Sequence, residues 1–246
     1  MCIRDRIDTT ATECLIHVYG DLVSIENNQI FAHIDPANNL PLMSSQTDNI
    51  DIQSAIRVES EQTPDGSQVL KHTEVVVKNN RIHGMRFGVH IGQNIISSPS
   101  SDYQRNVLVV GNLIIHHHNN GNNGASGVGI VSKPGTVVKD NTIIGLSQMT
   151  RGINVNGGNT TNATFDDRWS FIVNNIIRLN QSPIASSIGT VSSSNSEALC
   201  VKGNITSTPI SIGGTATNRV IDGNVVTTVE PYITDNWEFH VFEAPF

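Results

Sequence analysis

Two positions in the 246-residue chain offer a fixed cation and a titratable base: Arg57, in Ala55-Ile56-Arg57-Val58, and His90, in Gly88-Val89-His90-Ile91. Each stands between β-branched residues. Side chains alternate faces along an extended strand, so with the aliphatic neighbours turned inward both residues point outward. A guanidinium that neutralises a carboxylate, beside a neutral imidazole that accepts a proton, is the pairing that proton abstraction next to a carboxylate needs. The same phrase recurs at Gly127-Val128-Gly129-Ile130, Gly152-Ile153-Asn154-Val155 and Pro209-Ile210-Ser211-Ile212. With the flanking aliphatic residues, Val128 included, turned inward, its outward positions add Glu59, Asn154, Asn156 and Ser211 as groups able to bind a polar ligand. Gly129 is expected to form a flat step between His90 and Asn154. Lys133 and Arg151, at the borders of such strands, are further cations.

Two other clusters invite a metal. His116-His117-His118 follows a strand and opens the loop 119–126. Alternation sends neighbouring strand residues to opposite faces, so at most two of the three could reach one ion. Asp166-Asp167 lies in the long loop 156–168, where oxygen ligands would suit Ca²⁺. No cofactor is implied by the sequence and no metal ligand set is assigned, with Ca²⁺ the one ion these residues would suit.

The elements that position these residues follow from composition and repetition. Ile and Val number 53 while Leu and Ala number 10 each, which excludes a helical bundle. A short Val/Ile run, a small polar residue, Asn and then Ile recur seven times, aligned on Asn28, Asn80, Asn112, Asn141, Asn175, Asn204 and Asn224. The spacings are 52, 32, 29, 34, 29 and 20 residues. The first is expected to span two coils, the others one. Each Asn is followed by the Gly-Ile-x-Val type of phrase, so every repeat holds three short strands. Such a repeat buries its apolar face only by stacking on its neighbours, about 4.8 Å away. The reading is all-β: a parallel β-solenoid of about 7–8 coils. Asn is expected at the tight bend because it tolerates left-handed backbone angles, and its amide can bond the Asn of the next coil in a ladder.

Over about residues 15–230 these repeats resemble the right-handed parallel β-helix superfamily, the pectate-lyase-like fold. The resemblance implies three sheets: PB2 from the run before Asn, PB3 from the stretch after it, and PB1 from the Gly-Ile-x-Val phrase. It further implies a polysaccharide partner along PB1, either cleaved by β-elimination or glycoside hydrolysis, or bound by a non-catalytic fibre, tailspike or adhesin segment. In a lyase, Arg57 would neutralise the uronate and His90 take its C5 proton. The paired Asp and Gly-His-Gly of the polygalacturonase branch are missing, and Asp35-Pro36 continues as Ala37-Asn38, unlike the alginate epimerase branch.

Met1 to Arg6 match the translation of a transposon-type sequencing adapter, so 1–6 are expected to be an artefact and the protein to begin upstream. The β-helix domain is placed at 7–229. Tyr232, Trp237, Phe239, Phe242 and Phe246 put 5 of the 12 aromatic residues in the last 15, marking 230–246 as a cap or an oligomer interface. A net charge of -7 argues against nucleic acid as partner. No apolar run reaches the roughly 18 residues of a membrane helix. An extracellular location or one on a cell or virion surface is expected, and Cys14 and Cys200 are too far apart along the axis to form a disulfide.

Overall fold

The computed structural model describes residues 2–3, 6–9, 16–19, 22–32, 34–35, 40–41, 54–59, 72–83, 87–91, 105–116, 127–132, 135–145, 149–155, 169–179, 186–190, 198–212 and 218–227. They form a right-handed parallel β-helix with three stacked sheets of eight, eight and seven strands. PB2 holds Cys2–Ile3, Val23–Glu26, His72–Lys78, Arg105–Val110, Thr136–Lys139, Trp169–Val173, Ala198–Lys202 and Asn218–Asp222. PB3 runs through Arg6–Thr9, Gln29–Ala32, Arg81–His83, Leu113–His116, Thr142–Gly145, Ile176–Leu179, Ile205–Thr206 and Val225–Val226. PB1 comprises Ile16–Tyr19, Ser54–Glu59, Phe87–Ile91, Gly127–Ser132, Met149–Val155, Ser186–Thr190 and Ile210–Ser211. Cys2–Ile3, within the residues 1–6 expected to be an artefact, and Arg6–Thr9, which begins at the last of them, pair with the coil that follows.

β-branched residues dominate because each coil presents one residue type to the same place in the next. On PB3 the register stacks Ile30, Ile82, Ile114, Ile143 and Ile177, all essentially buried. On PB1 it stacks Ile16, Ile56, Val89, Ile130, Ile153 and Ile188. Each such side chain contributes about 1.5–3 kcal/mol by leaving water.

The bend between PB2 and PB3 is held by the Asn ladder, complete from Asn28 to Asn224. Asn112 Nδ2 donates to Asn141 Oδ1 at 2.9 Å and to the Val77 carbonyl of the preceding coil at 3.0 Å, while its backbone N–H donates to the same Asn141 Oδ1 at 3.0 Å. Asn80, Asn141, Asn175 and Asn204 repeat all three bonds.

Two expectations change here. Asn28 bonds directly to Asn80, so the interval of 52 residues is one coil with a longer excursion, not two. The left-handed residue is also not the ladder Asn but the one before it: Asn27, Asn79, Gly111, Asp140, Asn174, Gly203 and Gly223 all have positive φ. That position turns the chain, which frees the ladder Asn to point its amide along the axis. At Gly111 (φ 67°) a Cβ would stand 2.6 Å from Asn79 Oδ1, so a larger residue would make that side chain swing away, while Asn27, Asn79, Asp140 and Asn174 show that the conformation itself admits Asn or Asp.

Cys200 is a free thiol on PB2, and Cys14 lies outside the described residues. Among the described residues no helix is long and apolar enough to cross a membrane.

Asn141→Ala should remove the acceptor of the Asn112 backbone N–H and side-chain amide and the donor to the carbonyls of Val109 and Lys139, and leave Asn175 Oδ1 with the backbone N–H of residue 141 in place of two donors. We expect a loss of about 3–5 kcal/mol in urea unfolding. Asn224→Ala, at the end of the ladder, should cost about 1–2 kcal/mol. Equal losses at both positions would contradict the ladder as the source of the effect. Burial pushes the Cys200 thiol up, against a smaller opposing pull from Lys202. Less thiolate is therefore present at neutral pH than in a free thiol, and alkylation of Cys200 by iodoacetamide, followed by mass spectrometry, should be slow at pH 7 and accelerate in alkali.

Candidate functional site on the outer face of PB1

The register of PB1 aligns seven residues on its outer face: His17, Arg57, His90, Val131, Asn154, Gly189 and Ser211. Arg57 and His90 are thus neighbours on adjacent coils, as their alternation with Ile56, Val58, Val89 and Ile91 requires. Their environments differ from expectation. Arg57 is half-buried, but His90 is 0 % exposed and does not face solvent. Its ring lies 6.0 Å from that of Phe87, and Phe87 clusters with Val128 and Val131 apart from the main core. The centre of this face is therefore covered and apolar, with His17 and Ser211 exposed at its two ends.

The reason lies at the corner where each PB1 strand begins. Gly88, Gly129 and Gly152 stack there, and a Cβ on Gly129 would stand 2.6 Å from the Gly152 carbonyl oxygen and 2.7 Å from Ile143 Cγ2. Gly129 is a packing residue of this corner and not the outward step between His90 and Asn154, which is Val131. Because the corner residue interrupts the alternation, the position before it also faces outward, as Phe87, Val128 and Arg151 do. Val128 therefore sits with Phe87 and Val131 instead of in the core. In the coil of Asn175 the strand is Ser186–Thr190, and Gly189 takes the outward place between Asn154 and Ser211.

Arg151 and Asn154 form the best-defined polar group of the face. Arg151 Nη1 donates to Asn154 Oδ1 at 2.6 Å. The Arg151 side chain crosses Gly189, where a Cβ would come within 3.1 Å of Nε and 3.3 Å of Cδ, and Ser186 Oγ would meet the same Cβ at 2.7 Å. Burial lowers the pKa of this guanidinium, yet it remains a cation at neutral pH. Asn154 is 3 % exposed, and this donor takes the place that water would have at its carbonyl.

Of the other candidate residues, Ser211 is exposed at the open end of the face. Glu59 lies in register with Tyr19 at the end of its strand. Asn156, Lys133, Asp166, Asp167, His117 and His118 lie outside the described residues, while His116 ends a PB3 strand in register with Gly145. Among the described residues no three His, Cys, Asp or Glu side chains gather where they could hold a metal ion. His17, beside Arg57, escaped the sequence reading because no small residue precedes Ile16-His17-Val18. Its period-two alternation was the available signal.

Comparison with protein-family models, with curated proteins and with solved structures finds no match for this chain.

Arg151→Met keeps the stem over Gly189 but removes the donor to Asn154. It should destabilise the protein by about 1–3 kcal/mol in urea unfolding. The double variant Arg151→Met/Asn154→Leu should recover part of that loss.

Proposed function

We propose that the protein is an extracellular or surface β-helix of the pectate-lyase-like kind that binds an acidic polysaccharide on the outer face of PB1. The observation that carries this reading is the half-buried Arg151 guanidinium, anchored on Asn154 and laid across Gly189 beside the exposed Ser211. A fixed cation at the border between a covered apolar patch and an open glycine-serine stretch suits a uronate: the carboxylate meets the guanidinium, and the sugar ring lies on the flat part of the sheet. Arg57, on the far side of the covered patch, is about 14 Å from Asn154 along the axis and serves as a second anchor.

Binding is placed ahead of eliminative cleavage because His90, the imidazole assigned the proton, is enclosed with Phe87, and a general base must come within hydrogen-bond reach of the proton it takes; the exposed His17, in register on the other side of Arg57, is the imidazole a cleaving site would use. A non-catalytic fibre or adhesin segment is the second reading. It is favoured by the last described coil, where Ile221 and Val226 are 50 % and 49 % exposed, a surface on which further protein could stack.

Calorimetry with oligogalacturonate and oligoalginate tests the proposal. The wild-type protein should bind one of them, Arg151→Gln should weaken that binding by about tenfold, and no unsaturated-uronate absorbance should develop. Growth of that absorbance, abolished in His17→Ala or His90→Ala, would establish cleavage instead. Absence of binding to both would leave the fibre reading.

A further inference from the structure

The outer face of PB2 carries a second pattern, unrelated to the PB1 residues. Its middle column, in register, is Ser24, Val76, Leu108, Val137, Phe171, Cys200 and Val220. These residues turn away from the core and none is fully buried, with Phe171 38 % and Val220 44 % exposed. Beside them runs a column of Glu26, Lys78, Val110, Lys139, Val173, Lys202 and Asp222. Three of the chain's five lysines thus stand in one line on alternate coils, in a protein of net charge -7. The interval between them is two coil spacings, about 9.6 Å. Trp169 stacks on Phe171 along the opposite margin, ring centroids 5.7 Å apart and planes 22° from parallel.

Lysine on alternate coils with valine between them gives this face a charge repeat of its own. Because the β-helix is rigid along its axis, the three ammonium groups form a ruler whose spacing the backbone sets. The occupant that matches it is a linear polymer whose own charges recur at the same interval. The alternating aliphatic steps and the Trp169–Phe171 pair supply apolar surface for the faces of sugar rings between those charges. We infer that the outer face of PB2 binds an extended acidic polysaccharide carrying one carboxylate per disaccharide, with Lys78, Lys139 and Lys202 each meeting one carboxylate.

The acidic groups nearby set the order of importance. Lys78 has Glu26 as its register neighbour and Lys202 has Asp222, whereas Lys139 stands between Val110 and Val173, with Asp140 next to it in the chain. Lys139, with no carboxylate in register on either adjacent coil, is the strongest of the three for an external anion.

The inference is independent of the PB1 reading, and a pair of variants separates them. Hyaluronan oligosaccharides, with one carboxylate per disaccharide, serve as the probe, monitored by calorimetry and tryptophan fluorescence in low and high salt. Wild type should bind, and more weakly as salt rises. Lys139→Ala should weaken binding about threefold to fivefold in both the wild-type and the Arg151→Gln background, Lys139→Arg should restore most of it, and Arg178→Ala, an exposed cation on PB3, should leave it unchanged. Because Lys139 is at the surface, the thermal transition of both Lys139 variants should match wild type. Failure of wild type to bind, or binding untouched by Lys139→Ala, would overturn the inference. So would sedimentation showing a dimer that Phe171→Ser dissociates, since a second copy would then occupy this face.

Discussion

Everything in this β-helix depends on one requirement: at each bend between PB2 and PB3 a buried polar side chain must be satisfied by the coil above and the coil below. Each inner ladder Asn does this with one amide. Its Oδ1 accepts from the backbone and the Nδ2 of one neighbouring Asn, and its own Nδ2 donates onward and back to a carbonyl. Buried amides without partners cost several kcal/mol. From Asn28 to Asn224 every coil meets the next with Asn on Asn, and that fixes the register at this bend.

A pinned register turns the outside of the protein into a set of fixed columns. On PB1 the corner glycines bring the sheet close to the isoleucines of PB3, and the outward residues next to them become an enclosed patch of Phe87, Val128, Val131 and His90. Polar function on that face is consequently pushed to the flanks, toward Arg57 on one side and Arg151 with Asn154 on the other. On PB2 the same geometry leaves the columns open, and valines and lysines alternate there coil by coil.

The coil length is far less constrained than the register. Between Asn28 and Asn80 the chain takes 52 residues to complete one coil, while Asn204 and Asn224 are joined by 20. Since only the strand and bend residues make the stacking contacts, excursions between sheets are free to vary, as is usual for surface connections. An interval in sequence is therefore a poor measure of axial distance.

The sequence alone determined the fold class, the ladder positions and the inward columns, because a repeat of Val/Ile, Asn and Ile at seven sites has one efficient way to bury its apolar side and pair its amides. It also placed Arg57 and His90 on adjacent coils of one sheet, which follows from alternation alone. Tertiary structure decided the rest. Whether His90 met solvent and whether Val131 or Gly129 stood beside Asn154 both turned on the corner at which the strand leaves its period-two pattern. That corner is set by how closely Gly129 and Gly152 approach isoleucines far away in the chain. The left-handed residue before each ladder Asn was visible as a small polar letter, yet only the backbone angles distinguish it from the Asn that follows. Alternation records which face a residue takes; only the packed neighbours determine whether that face is open.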